Sequence, residues 1–317
     1  MKLPWFSQGR KVINIVFTDY ALRVVEAKTT PPFAVTRWTE RELPPETIKG
    51  GIIYDSQTLL FILEEIVADW GLKHRPVQFL VPDQYAIVRR LSIPKDVKED
   101  ELHSYIFLEI GTSIHLPFEN PAFDVIPLGE KEKKQEALLF ASREDIVASY
   151  ANLLEEAKLK PLTADMSILA LYRLFLYSKV IDGNGHYMML QLDRHLLTVS
   201  IFHGYQPVFM RPIPVEWNQV EEKEVNHWSL PLEDLYNEIE RVINFYRYSL
   251  FHGDVDITCF LLSGDYPVLD VFGEALKERW GKEVFKVPEQ HFMDRDNEPI
   301  PSSMELAIGL ALKEVLK

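Results

Sequence analysis

The sequence is short of cysteine, of positive charge, of long apolar runs and, at one turn that matters, of glycine. Its 317 residues include a single cysteine, Cys259. That excludes an internal disulfide frame and a cysteine-built metal cluster. Cys259 lies in the apolar run ITCFLL and is read as a core residue. A formal charge of −14 and a pI of about 5.2 describe an acidic surface. Such a surface repels phosphates and argues against nucleic acid as a partner. No stretch approaches the roughly 18 consecutive apolar residues that a membrane span needs. The start, MKLPWFSQGRK, is basic and holds Leu3, Trp5 and Phe6 but no apolar h-region. No signal peptide is expected, and a mobile terminus is the reading, with a short membrane-touching anchor as the alternative. The nine histidines show no ligand spacing, so no metal site is expected. No nucleophile-elbow pattern occurs among the serines.

What is present is apolar bulk. A hydrophobic fraction of 47% with 12% aromatics supports packed cores in about two domains. The chain is organised around its first strand pair, Val12–Ala27, reading VINIVFTDYALRVVEA. An apolar run stops at Thr18-Asp19-Tyr20 and a second follows at once, which predicts two strands and a tight turn. An early hairpin in an α/β chain is a common place for a phosphate loop. Such loops carry glycine so that the backbone can approach the phosphates, and this turn has none.

Further along, Phe33–Leu43 reads as a third antiparallel strand and Gln57–Trp70 as an amphipathic helix capped by Asp55-Ser56 and stopped by Gly71. Val77–Val81 reads as a buried strand. Tyr85–Lys160 reads strand, helix, strand, strand, helix, a unit with a sheet of its own. A brief strand, Leu162–Asp165, and an apolar helix, Met166–Tyr177, follow. The segment VIDGNGH, Val180–His186, is the best domain boundary. Beyond it come hairpin strands at 187–212, a polar loop over Pro214–Trp228, a long helix over Leu232–Leu250, a strand at Asp256–Leu262, a helix over Val268–Trp280, a strand at Glu283–Val287 and a last helix over Met304–Leu316. The two halves share an order of hairpin strands, helix and strand, without a residue-level repeat.

Several segments together resemble the PilM family of type IV pilus assembly proteins, actin-like relatives of the division protein FtsA. They are VINIVFTDYALRVVEA, VQFLVPDQYAIVRRLSIP, EIGTSIHLPFENPAFDVIPLG, ASREDIVASYANLLEEAKLKPLTADMSILAL, GYQPVFMRPIP, EIERVINFY and AIGLALKE. The resemblance implies an α/β, actin-like (ribonuclease H-like) two-lobed fold with a small α+β subdomain inserted in the first lobe. The expected boundaries are a tail at 1–10, a first lobe at 11–84 and 161–180, an insert at 85–160 and a second lobe at 181–317. It also implies a cytoplasmic protein at the inner face of the membrane. Its partner would be a PilN-like inner-membrane protein, whose cytoplasmic N-terminus lies in the groove between first lobe and insert.

Actin-like ATPases hold nucleotide between three turns, and Mg²⁺ wants hard oxygen ligands. Against the family pattern, the first turn has Val16 at the aspartate position and Thr18 at the glycine position, with Asp19 displaced to where phosphate oxygens would lie. The second has Gln191 and Asp193 in place of Asp and Gly. The third keeps Gly264 and adds Asp265. Carboxylates near phosphates cost on the order of 1–4 kcal/mol per unscreened pair. Glu238 and Arg241 match the helix that flanks the nucleoside, a surface ion pair being the other reading. Arg194 and His195 suit an anion or a solvated hairpin tip. No cofactor is expected, ATP with Mg²⁺ being the alternative. For the peptide groove the candidates are Tyr85, Ile87, Arg89 and Leu91 on one strand, with Tyr105, Glu109, Leu116 and Phe118 on the next helix and its exit. Core of the insert is the other reading of the apolar ones. The expected function is a scaffold that does not hydrolyse ATP; the alternative is a divergent ATPase or ATP-gated switch in pilus, secretion or competence machinery.

Overall fold

The computed structural model describes residues 12–131, 134–215, 232–250, 253–267 and 269–316. The chain divides into two compact units, Met1–Tyr177 with Pro288–Lys317, and Ser178–Val287. In the first unit, β1 (Ile13–Phe17), β2 (Ala21–Lys28) and β3 (Ala34–Glu42) form an antiparallel meander. A small hairpin, β4 (Ile48–Lys49) and β5 (Ile52–Ile53), leads to α1 (Ser56–Trp70) and then β6 (Pro76–Leu80). The insert follows as β7 (Ala86–Ile93), α2 (Leu102–Glu109), β8 (Pro121–Lys131) and β9 (Lys134–Arg143). The chain returns through α3 (Glu144–Glu156), β10 (Lys160–Asp165) and α4 (Ser167–Tyr177). The second unit holds β11 (His186–Leu192), β12 (Leu196–His203), β13 (Gln206–Pro214), α5 (Leu232–Asn244), β14 (Cys259–Ser263), α6 (Leu269–Trp280) and β15 (Val284–Phe285). Then α7 (Glu305–Ala311) belongs again to the first unit.

Each unit has a five-stranded sheet, ordered β3-β2-β1-β6-β10 in the first and β13-β12-β11-β14-β15 in the second. In both, the first three strands run antiparallel and the last two lie parallel to the first. The shared order of elements seen in the sequence is therefore one wiring used twice. Central strands buried on both faces are apolar almost throughout: β1 is buried along four of its five residues. Among the described residues β13 is an edge strand, and it carries Pro207, Pro212 and Pro214, which lack the N–H that edge pairing needs.

Local signals set the helices. The Asp55 carboxylate accepts the Thr58 N–H at 3.0 Å to open α1, and Gly71 closes it at φ 64°. One face of the first sheet packs on α1 and α3, which bring Leu59, Leu63, Ile146, Tyr150, Leu153 and Leu154 against Ile13, Ile15, Val77 and Phe79. Helix α7 packs on α4 and against β1 and β2. A Cβ on Gly309 would lie 2.3 Å from the Ala170 carbonyl oxygen, so only glycine lets these helices come so close. Between sheet and α7, the buried Gln78 amide donates to Asn14 Oδ1 at 2.6 Å and to the Leu310 carbonyl at 2.9 Å. That satisfies polar groups inside an apolar layer.

Two expected boundaries differ. Helix α3 was expected to close the insert at 160, but it packs in the core of the first lobe, and the insert sheet ends at Arg143. An amphipathic stripe tells that a helix buries one face, not which sheet it meets. The expected second lobe ran to 317, but 288–317 returns to the first unit, where α7 is buried on all sides. Tyr85, expected to open a strand, lies in a single helical turn before β7. The tail with Leu3, Trp5 and Phe6, and all but the start of the polar loop over Pro214–Trp228, lie outside the described residues. Among the described residues no helix is long and apolar enough to cross a membrane.

Candidate functional site

The first hairpin turn closes on itself. The Thr18 N–H donates to the Ala21 carbonyl at 2.9 Å, and the Ala21 N–H donates to Thr18 Oγ1 at 2.9 Å. Tyr20 N–H also points at that hydroxyl, at 3.4 Å. A threonine side chain thus takes up amides that a glycine turn would offer to a phosphate. Val16 is buried in β1. Asp19 turns to a neighbouring loop, accepting the Gly50 N–H at 2.6 Å and the Gly51 N–H at 3.0 Å.

In the second unit, Gln191 and Ser263 are partners on parallel strands. The Gln191 amide donates to Asp193 Oδ2 at 2.7 Å, while its buried Oε1 has no hydrogen-bond partner. The Asp193 N–H closes the turn onto the Leu196 carbonyl at 2.9 Å, with Arg194 and His195 at the tip. Gly264, at φ 130°, lies directly on this strand end: a Cβ there would be 2.1 Å from the Leu192 carbonyl oxygen. The structure therefore brings Gln191, Asp193, Gly264 and Asp265 into one neighbourhood. Glu238 pairs with Arg241 and also with Arg211 at 2.9 Å. Among the described residues no group of three or more His, Cys, Asp or Glu could hold a metal ion.

The insert is a three-stranded sheet, β7-β9-β8, with β7 and β8 at its edges. One face packs on α2 and its exit. Ile93, Leu102, Ile106, Ile114, Ala137, Leu139 and Ala141 form a buried cluster there, and Leu91, Tyr105, Leu116 and Phe118 pack against it. Ile87 and Arg89 share that face by alternation, and the Arg89 guanidinium donates to the His115 carbonyl at 2.6 Å. Glu109 accepts the Ser113 hydroxyl. Tyr85 lies apart, its ring 5.1 Å from the Arg143 guanidinium. Seven of the eight groove candidates thus gather around one small core.

The other face of the sheet opens on a cleft of about 460 Å³. Ala122, Asp124 and Ile126 of β8 and Phe140 and Ser142 of β9 form the insert wall. Val81, Ala164, Met166, Leu169 and Val147 form the lobe wall. None of the eight groove candidates lines this cleft. At its base the buried Asp165 accepts Arg173 at 2.8 Å, Lys313 at 3.1 Å and the Met166 N–H at 2.9 Å. Burial alone would raise the Asp165 carboxyl, but Arg173 and Lys313 outweigh it and hold the group below its ordinary value. The Ser142 hydroxyl is buried without a hydrogen-bond partner. Sequence reasoning missed these residues; the available signals were a carboxylate closing a buried strand and a lone lysine, Lys313, in an apolar helix.

Among the described residues there are further cavities. One, of about 620 Å³, lies at the start of α3 beside Phe118 and is lined by Glu119, Asn120, Arg143, Glu144 and Asp145. Another, of about 740 Å³, lies in the second unit beside Cys259. Burial pushes that thiol up to about 11, so it stays protonated and inert at neutral pH.

Comparison with known proteins gives one family model and several solved structures. A family model described as type IV pilus assembly protein PilM matches residues 15–241. Among solved structures, a PilM–PilN type IV pilus biogenesis complex matches with a TM-score of 0.79 at 20% identity, covering 97% of this chain and 99% of the other. A Bacteroides thetaiotaomicron protein of unknown function with an actin-like ATPase fold matches at TM-score 0.50 and 10% identity, covering 98% and 99%. The cytoplasmic domain of EpsL, an inner-membrane component of the Vibrio cholerae type II secretion system, matches at 0.50 and 11%, covering 95% and 94%. These likenesses show the actin-like two-lobed fold. No curated protein sequence matches the chain.

Proposed function

The chain belongs to the PilM family of type IV pilus assembly proteins, and from that premise we propose that it is a scaffold that holds the cytoplasmic N-terminal segment of a PilN-like inner-membrane protein in its lobe–insert cleft. The observation that carries the reading is the cleft itself. Its walls are apolar at Ile126, Phe140, Met166 and Leu169, and its base holds the Arg173–Asp165–Lys313 cluster. One wall is the edge strand β8, which offers backbone groups for pairing with an extended peptide. Apolar pockets beside a free edge suit a segment that pairs through its main chain and buries alternate side chains. Held this way, the protein works in the cytoplasm, at the inner face of the membrane through its partner. There it joins the membrane complex to other parts of the pilus machinery.

The scaffold works without hydrolysing ATP and needs no cofactor. Three observations support this. The amides of the first turn are taken up by Thr18, Asp19 is engaged by Gly50 and Gly51, and Gln191 with Asp193 stands where the second turn would carry Asp and Gly. The test is titration calorimetry with two ligands. The N-terminal peptide of the cognate PilN-like protein is expected to bind, and Mg-ATP to give no heat of binding. Tight Mg-dependent ATP binding would sink the reading without a cofactor, release of phosphate from bound ATP would sink the non-hydrolysing one, and absence of peptide binding would sink the cleft reading.

A further inference from the structure

We propose that Asp19 is a positioning residue for the lobe–insert cleft: its carboxylate fills a two-amide anion site in the turn between β4 and β5, and so fixes the platform on which the chain crosses into the insert. The functional consequence rests on the cleft reading above; the structural one rests on geometry alone.

Gly50 and Gly51 are successive residues with φ of 56° and 75°. Two left-handed residues in a row turn their N–H groups to one side, which makes a concavity for an anion. Asp19 occupies it, one oxygen to each amide, at 2.6 and 3.0 Å. The first hairpin does not need this carboxylate for its own closure, because Thr18 already closes it. Asp19 is therefore available to the neighbouring turn, and that is where it goes.

The turn it holds is pinned on two other sides. The Gly51 carbonyl accepts the Tyr150 hydroxyl at 3.0 Å, and the Tyr150 ring packs 4.9 Å from Phe17. A Cβ on Gly51 would lie 2.4 Å from Pro82 Cβ, so the turn is the surface against which Pro82 rests. Pro82 lies where the chain leaves β6 for the insert. The Val81 N–H beside it donates to the Asp165 carbonyl at 2.9 Å, and the Tyr85 N–H donates back to the Pro82 carbonyl at 3.0 Å. Asp83 accepts the Ser167 hydroxyl at 2.6 and 2.7 Å. Val81 and Asp165 both line the cleft. From Asp19 to the cleft wall there are thus three successive contacts: Asp19 to Gly51, Gly51 to Pro82, and Val81 to Asp165. A residue placed among the phosphate-facing positions acts here as a built-in anion, whose effect is felt at the insert crossing.

The test uses the full chain with Asp19→Ala and Asp19→Asn. Amide exchange is read at Val81 and Tyr85, and affinity is read with a fluorescent N-terminal peptide of the cognate PilN-like protein. Asp19→Ala is expected to speed exchange at both amides and to weaken peptide binding by about two- to thirtyfold, the usual range for a residue coupled to a site without touching it. Asp19→Asn, which keeps one acceptor oxygen, falls between and remains informative if Asp19→Ala does not fold. Added formate is expected to refill the two-amide site of Asp19→Ala and restore slow exchange. Unchanged exchange at Val81 and Tyr85 in both variants, or faster exchange with unchanged peptide affinity, overturns the proposal. A wild-type chain that does not bind the peptide overturns the cleft reading instead, and Asp19 is then judged on exchange and formate rescue alone.

Discussion

The two faces of the insert sheet are built from alternating residues of the same strands, yet they serve opposite purposes. On one face Ala137 and Leu139 join Ile106 and Leu102 of α2 in a sealed core. On the other, Phe140 and Ser142 look into a cleft that the insert does not fill by itself. A strand has a period of two, so neighbours in sequence are divided between these faces. The sealed face stabilises the insert, and the open face is the one we propose for the peptide.

Substitutions on the two faces should separate these roles. The largest effect is expected from Ile106→Ala on the sealed face. Ile106 is 0% exposed, and losing its buried methylenes should cost about 2–5 kcal/mol, read as a lower denaturation midpoint. Next is Asp165→Asn at the base of the cleft. Removing the carboxylate leaves Arg173 and Lys313 without their shared counter-charge. A fully buried pair would lose about 3–5 kcal/mol, and the partial exposure of both cations should bring the loss to about 2 kcal/mol. The same group gives a pH signature. Its folded value lies below the ordinary 3.8, so its contribution is present above that pH and is lost as the pH falls below it. Asp165→Asn should remove that part of the acid-unfolding profile.

A smaller stability effect is expected from Ile126→Arg on the open face. Ile126 is 48% exposed, so stability should change by no more than about 0.5 kcal/mol, whereas peptide binding should fall at least tenfold. The smallest effect is expected from Mg-ATP. A saturating addition should leave the melting temperature unchanged, because a ligand stabilises only by binding the folded state.

Much of the fold was legible in the sequence. The hairpin runs, the Asp55 cap and the Gly71 stop all mark local structure, and local structure leaves local signals. The repeated wiring could be read from element order because strand–turn–strand patterns recur in both halves. The destinations of α3 and α7 were not legible, since an apolar face does not name the surface it will meet. The first turn stood out by its missing glycine, whereas the positions of the second and third came from the family resemblance. What the sequence did not disclose was the use made of Asp19, because Gly50 and Gly51 lie 31 and 32 residues away along the chain. Four groove candidates rested on alternation along one strand and four on the neighbouring helix and its exit, and alternation marks a face but not its partner. Most of them gather at α2, and the cleft drew instead on β8, β9, α4 and Lys313.

The most direct test of the central claim is a side-by-side titration of the PilN-like N-terminal peptide against three proteins. They are the wild type, Leu169→Arg in the cleft wall, and Phe107→Arg on the outer side of α2, where Phe107 is 63% exposed. Binding by the wild type and Phe107→Arg, with loss in Leu169→Arg, is the predicted result. Loss in Phe107→Arg with full binding by Leu169→Arg would contradict it and move the site to the α2 side of the insert.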